Sequence, residues 1–296
     1  MVNVVSIDTK PLLNRKCKGE QLALKLACGA DGRTVLSHRY MAYPLSVSPV
    51  FRLDEKEKNR AYLYRMNTSP GLLAGDALQM SFELDAGSQL YLADQAATKV
   101  HTMPDVGARA TVEYQIKVGD RATLEFLPEP LILFADSALK QTTDIALHAT
   151  ATLCWGEIIL PGRLARGEAY EFRECWSQVR IRSEDNALWF VDAMKLLGKR
   201  NSFAQNALFA RGKVLGTLLL ILPEELATVE ALRELSDRVD LIGNDSLEIA
   251  SAVLPQARGL FIRAVGQTTR EMQAGFKAAV NTVRDWKGEA LLPYSV

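Results

Sequence analysis

Apolar and polar residues alternate with the two-residue period of β-strands along most of the chain, and helical spacing takes over only near its end. Leu22, Leu24 and Leu26 mark a first strand, Ala30-Asp31-Gly32 a turn, and Val35 to Val47 a returning strand with an irregular end at Pro44 and Pro49. Asp54 to Arg60 is a short charged loop. Leu78, Met80, Phe82 and Leu84 then share one face, Ala86-Gly87 turns, and Leu90 and Leu92 resume, which predicts a hairpin over Ala77 to Leu92. The loops flanking it, Thr68 to Asp76 and Asp94 to Lys99, are thereby expected at one end of a sheet, with Asp76, Thr98 and Lys99 close together and Asp76 paired to Lys99.

Strand follows strand as far as Trp189. Leu90-Tyr91-Leu92, Leu124-Glu125-Phe126 and Leu153-Cys154-Trp155 look like rough copies, roughly 30 residues apart, each after a turn at Ala86-Gly87, Val118-Gly119-Asp120 or His148-Ala149. This spacing fits stacked β layers and equally an ordinary sandwich. Lys213 to Leu222 reads as a strand, Pro223 opens a helix to Arg238 with Leu226, Val229, Leu232 and Leu235 on one face, and Leu247 to Val253 pairs with Gly259 to Val265. Thr268-Thr269-Arg270-Glu271 is a capping box for a last helix that buries Met272, Phe276, Val280 and Val283 and ends at Trp286. The expected fold is mainly β, a many-stranded stacked or sandwich-like arrangement with two helices in the C-terminal half. With no Gly/Ser/Pro-rich linker, 1–296 reads as one unit, a β core over 1–210 with a β-α-β-β-α portion over 211–296 packed on it.

Composition narrows the function. Of 296 residues 48% are hydrophobic, enough for a large core. The 35 basic and 35 acidic residues cancel without a basic block, which argues against nucleic acid. The longest apolar run, Leu218 to Leu222, is too short to span a membrane, and Met1 to Lys10 does not read as a signal peptide. Cys17, Cys28, Cys154 and Cys175 form no C-x-x-C pair and are expected as reduced, buried thiols, so the cytoplasm is the expected location.

No catalytic constellation stands out. His38, His101 and His148 are isolated, His101 being notable for its place after Thr98-Lys99, and there is no nucleophile elbow or nucleotide fingerprint. Glu157 is the unusual acid: within Thr152 to Leu160, an almost wholly apolar strand, a carboxylate needs a partner, for which Arg163 is a candidate, or a polar cavity to line. Asp76 reads as a turn residue that accepts backbone N–H groups or as a functional carboxylate, and Lys99 as solvated or functional. One enzymatic reading is a stacked-β carbohydrate-active protein using Asp76 and Glu157 as paired carboxylates, but the strands lack the rows of exposed aromatics such a groove needs.

Four segments occur in order: Gly71…Gly75-Asp76, Gln95-Ala96-Ala97-Thr98-Lys99, Leu124-Glu125-Phe126-Leu127-Pro128, and Glu157…Gly162-Arg163…Gly167-Glu168. Together they resemble the urease accessory protein UreD family, called UreH in some species, from the strand near Leu22 to the last helix. Pro70 and Ala74 stand where the family's loop has glycine. The resemblance implies a β-rich fold with two helices and no enzymatic activity. It implies UreF, UreG and apo-urease as partners, with neither nucleic acid nor membrane. It further implies a scaffold with an internal tunnel that delivers nickel(II) to urease, with no tightly bound cofactor. Position by position, Asp76, Thr98 and Glu157 match candidate tunnel-lining residues for transient metal. Gly71, Gly75, Gln95, Lys99, Gly162, Arg163, Gly167 and Glu168 match the family's motif positions. A passing divalent ion needs weak oxygen ligands, because tight His or Cys sites would trap it.

Overall fold

The computed structural model describes residues 19–54, 59–200 and 212–293. Met1 to Lys10 and Cys17 lie outside the described residues, as does part of the Asp54–Arg60 loop. Strands β1 (Leu22–Cys28) and β2 (Thr34–Met41) form the expected hairpin, with a register shift between Lys25 and Leu26. The returning strand does not run on to Val47: after Pro44, whose peptide bond is cis, β3 (Leu45–Val47) pairs instead with β4 (Ala61–Asn67) in a second sheet. In chain order β5 (Ala77–Leu84), β6 (Gln89–Gln95), β7 (Thr98–Val100), β8 (Ala110–Val118), β9 (Thr123–Leu127), β10 (Leu131–Leu133), β11 (Ala138–Leu147), β12 (Thr152–Leu160), β13 (Glu174–Arg182) and β14 (Leu188–Leu196) follow. The C-terminal part adds β15 (Val214–Ile221), helix α1 (Val229–Asp240), β16 (Leu247–Val253), β17 (Gly259–Gly266) and helix α2 (Thr269–Trp286).

Two sheets face each other. One is seven-stranded, β14-β13-β11-β8-β5-β1-β2; the other is ten-stranded, running β16-β17-β15-β12-β9-β6-β4-β3 with β10 and β7 beside β12. The predicted hairpin over Ala77 to Leu92 is a correction. β5 pairs in parallel with β1 and β8, β6 in parallel with β4 and β9, and Ala86-Gly87 carries the chain from one sheet to the other. Alternation reports which face is buried, not which strand is the neighbour, so an arch between layers and a hairpin share one pattern. The quasi-repeat follows from this arch. Each unit climbs one sheet (β5, β8, β11), turns, and descends the other (β6, β9, β12), so Leu90 lies beside Leu124 and Leu124 beside Leu153, all in parallel register. At the turns Gly119 donates its N–H to Leu84 O at 2.9 Å, and a Cβ there would stand 2.9 Å from that oxygen. The fold is thus mainly β, a sandwich whose centre is built of stacked coils.

Burial strings reflect the layering. β8 alternates buried and accessible positions because its sheet has one solvated face, whereas β9 is buried throughout because helices cover its second face. One core, including Leu24, Phe82, Ile116, Leu124 and Leu153, fills the interlayer; another, including Leu218, Ile262, Leu235, Phe276 and Val280, fills the space under the helices. The capping box at Thr268 and Glu271 is present, and α2 buries Met272, Phe276, Val280 and Val283 as expected. Helix α1 starts later than Pro223: Thr228 accepts Ala231 N–H as N-cap, so Leu226 precedes the helix, Val229 is exposed, and Leu232, Leu235 and Val239 form the buried face. No helix is long and apolar enough to cross a membrane among the described residues.

Helix α2 is fastened to the sheet by a buried ionic network. Arg284, 1% exposed, donates from Nε to Glu125 Oε1 (2.8 Å) and from Nη2 to Glu125 Oε2 (2.5 Å), with Tyr62 Oη at 3.3 Å from Nη1. Arg60 reaches the same Glu125 Oε2 at 2.5 Å and Glu289 at 2.5 Å. Burial works against the Glu125 carboxylate, but Arg60 and Arg284 more than offset it and hold its pKa down at about 2. Cys154 and Cys175 are buried free thiols as expected, while Cys28 is exposed.

Candidate functional site

The interlayer is apolar except along one transverse row. Arg65 of β4 and Asp94 of β6 are register partners, as are Glu157 of β12 and Thr217 of β15, and Thr217 and Arg263 of β17. All five belong to alternate positions that face the opposite sheet, where Tyr114, Gln141, Ser177 and Asp192 meet them. The period of two places these polar side chains inside, because each lies two residues along from a core residue: Leu63, Leu92, Trp155, Leu219 and Phe261 respectively.

The row has two polar halves. In the first, Arg65 Nε and Nη2 contact Asp94 Oδ1 and Oδ2 at 2.7 Å each, and Nη1 donates to Tyr114 Oη at 2.5 Å. The guanidinium lies 5.5 Å from the ring centres of both Tyr114 and Phe126. Burial opposes the Arg65 charge, yet Asp94 and Tyr114 raise its pKa above the ordinary arginine value. In the second half, Glu157 Oε2 accepts from Gln141 Nε2 (2.5 Å) and Ser177 Oγ (2.8 Å). Arg263 donates from Nη2 to Asp192 Oδ2 and from Nη1 to Thr217 Oγ1, both at 2.7 Å. Burial pushes the Glu157 carboxyl above the ordinary range and nearby Asp192 adds to this, while Ser177, Arg263 and Gln141 pull the other way. The Tyr114, Phe126 and Trp155 rings stack between the halves, with Phe126 and Trp155 4.5 Å apart and Tyr114 and Trp155 5.3 Å apart. Glu157, Ser177, Asp192 and Thr217 border a cavity of about 10 Å³, room for about one water molecule. Arg163 is not the partner of Glu157: it pairs with Glu168, which also accepts Ala135 N–H at 2.9 Å. That pairing and Ala135 lower the Glu168 pKa against the opposing effect of burial.

The two loops flanking β5 and β6 meet, although not through a hairpin. β12 pairs in parallel with β10, β10 with β7, and Leu72 bridges to Val100, so the Gly71 loop and Thr98-Lys99 extend the sheet beyond Glu157. Leu72 N–H donates to Lys99 O at 2.8 Å and His101 N–H to Leu72 O at 2.9 Å. Positive φ falls on Gly71 (144°) and Gly75 (85°) and on neither Pro70 nor Ala74, so the loop closes without glycine at those two positions. A Cβ on Gly71 would lie 2.4 Å from Lys99 O, and one on Gly162 2.4 Å from Glu168 O. Gly167 adopts φ 76° and caps the turn of Leu164–Arg166. Gln95, the last residue of β6, precedes Ala96 through a cis peptide bond. Asp76 Oδ2 accepts Leu73 N–H at 2.7 Å, its turn-residue reading. The expected Asp76–Lys99 ion pair is a correction: none forms among the described residues, Asp76 being turned into its own loop while Lys99 is exposed. His101 Nε2 lies 3.1 Å from Pro70 O and its ring packs on Phe134. No group of three or more His, Cys, Asp or Glu side chains suited to a metal occurs among the described residues.

Sequence reading singled out Glu157 alone among the row. Arg65, Asp94, Tyr114, Gln141, Ser177, Asp192, Thr217 and Arg263 were missed. The available signal was a charged or polar residue at a core-facing position of an alternating strand, as with Arg65 after Ala61 and Leu63 or Arg263 between Phe261 and Val265.

Comparison with known proteins is consistent across the chain. The profile of the family described as "UreD urease accessory protein" matches residues 18–294. "Urease accessory protein UreD" of Trichodesmium erythraeum (strain IMS101) is 45% identical over 92% of this chain and 97% of its own length. "Urease accessory protein UreD 2" of Streptomyces griseus is 29% identical over 86% of this chain and 85% of its own. "Urease accessory protein UreH" of Helicobacter pylori (strain P12) is 29% identical over 77% of this chain and 84% of its own.

Proposed function

Since the chain belongs to the UreD family of urease accessory proteins, we propose that it acts as a scaffold and metal conduit in urease maturation. It delivers nickel(II) to apo-urease together with UreF and UreG, in the cytoplasm, and catalyses no reaction itself. Nickel(II) is cargo rather than a resident cofactor. The observation that carries this reading is the polar row through an otherwise apolar interlayer, with the Glu157 carboxylate at its narrow cavity. Buried polar side chains in a β interlayer cost stability unless satisfied, and a transverse line of them gives a divalent ion oxygen ligands where a plain sandwich would have none. Oxygen from Glu157, Ser177 and Thr217 holds such an ion weakly enough to release it. In this reading Thr98 and Asp76 serve the path beyond Glu157: Thr98 lies on β7, which β10 joins to β12, and Asp76 closes the Gly71 loop whose Leu72 bridges to Val100.

The carbohydrate-enzyme reading lacks this support. Asp76 Oδ2 is engaged by Leu73 N–H and Glu157 Oε2 by Gln141 and Ser177 in the interlayer, so the two carboxylates do not flank one groove. The test is Glu157→Gln, which keeps volume and removes charge. Assembly with the accessory partners is expected to persist, while urease activation at limiting nickel falls. Unchanged activation at limiting nickel sinks the conduit reading.

A further inference from the structure

The two arginines of the polar row differ in freedom. Arg65 is locked: buried, bidentate on Asp94, bonded to Tyr114 and flanked by two rings. Arg263 sits at the opening of the row. Its side chain keeps 39% of its surface and that of Asp192 24%. Its outer neighbour in register is Ala250 of the edge strand β16, a small exposed residue that leaves room for a swinging guanidinium. The guanidinium rests 4.8 Å from the Phe261 ring centre, a contact that breaks and reforms without a change of backbone.

Charge and geometry say what Arg263 stands in for. Its Nη1 and Nη2 occupy the space between Thr217 Oγ1 and Asp192 Oδ2, at 2.7 Å from each. Glu157 lines the cavity that Asp192 and Thr217 also border, with no cation bonded to it among the described residues, and Ser177 Oγ sits 2.8 Å from its carboxylate. One guanidinium therefore faces two carboxylates, whereas one divalent ion would balance both. A further buried hydroxyl, Thr143 Oγ1, has no hydrogen-bond partner among the described residues; Thr143 is 1% exposed, on the Gln141 face of β11, and lies in register with Val179, which lines the cavity. The donors around the guanidinium are all hard oxygens, the set that suits a transient divalent cation.

We propose that Arg263 is a displaceable internal cation that closes the row: it occupies the position between Glu157, Asp192 and Thr217, and swings toward Ala250 when a divalent ion enters. This rests on the conduit reading and adds to it a gate, with Asp192 and Thr217 as ligands of the ion and Arg263 as its competitor. Removing the competitor unmasks the site. While Arg263 holds the position, the apparent affinity for the ion is lowered by the fraction of molecules in which the position is vacated.

The experiment is equilibrium dialysis of nickel(II) alone against the full chain, co-purified with its accessory partner so that the partner's contribution is common to all variants. Arg263→Gln is expected to tighten nickel binding at least about fivefold, the gain for a position otherwise blocked about four-fifths of the time. Arg263→Met, whose thioether packs on Phe261 and Met194, is expected to do the same and serves if the glutamine variant does not fold. The double variants E157Q/R263Q and D192N/R263Q are expected to lose the gain. Unchanged affinity in a folded Arg263 variant, or a gain that survives both double variants, overturns the proposal. The two readings fail separately. If Glu157→Gln lowers urease activation but no Arg263 variant gains nickel affinity, the gate alone is wrong; if Glu157→Gln leaves activation unchanged, conduit and gate fall together.

Discussion

Arg284→Met separates the buried ionic network from ordinary packing. The methionine keeps most of the apolar stem and removes the fork that holds Glu125 at 2.8 and 2.5 Å. Breaking one partner of a buried ion pair costs ~3–5 kcal/mol because the remaining charge is left without compensation. Arg60 still contacts Glu125 Oε2, which places the expected loss near the lower end, about 3 kcal/mol. At ~2.1 cal/mol/K of unfolding entropy per residue, that is a fall in Tm of about 5 °C for this chain. The assay is urea denaturation at neutral pH by linear extrapolation, on Arg284→Met, Glu125→Gln and the double variant. The double variant is expected to cost at least ~1 kcal/mol less than the sum of the singles, since each single leaves a buried group that the other removes. The pH dependence has a definite sign. The Glu125 pKa is depressed from 4.5 to about 2, so its stabilisation is complete above 4.5 and is lost as pH falls toward 2. That linkage amounts to ~3 kcal/mol in the intact network; in Arg284→Met the folded pKa is less depressed, so the acid loss should start from the same pH but be smaller and level off at a higher pH. A single-variant effect below ~1 kcal/mol, or additivity within ~0.5 kcal/mol, refutes the reasoning.

The loop glycines should sort by the space around them. Gly75→Ala, where a Cβ meets nothing within 4 Å, is expected to cost ~1 kcal/mol from its left-handed backbone alone. Gly71→Ala and Gly162→Ala force a Cβ to 2.4 Å from a carbonyl oxygen and should each cost ~2–4 kcal/mol, read as the change in urea midpoint. Glu157→Gln should not lower Tm at neutral pH: burial raises the folded pKa of this acid, so wild-type stability falls as pH rises through and above the ordinary carboxyl range, and the glutamine removes that decline. Melting curves from about pH 5 to 8 check it, and a variant that melts well below wild type at neutral pH would show that the charge holds the fold together.

Much of this molecule is written in the local pattern. The two-residue period of β1, β5 and β8 identifies their buried faces, the Thr268–Glu271 capping box marks the start of α2, and the recurring Leu90, Leu124 and Leu153 segments fit the stacked coils. These features were legible because each depends on residues close in sequence: a period, a cap, a turn. Which strand lies beside which was not, because alternation specifies a face and leaves the partner open; hence Ala77 to Leu92 reads as a hairpin and folds as an arch. The polar row required the tertiary structure for the same reason. Arg65 and Asp94 meet across parallel strands 29 positions apart, and Arg263 reaches Asp192 across 71. Glu157 was visible as a carboxylate in an apolar strand, since the cost of burying a charge can be read locally. The groups that meet that cost, Gln141, Ser177 and Arg263, come from the facing sheet and the far edge, and only the packing of one layer on the other brings them together.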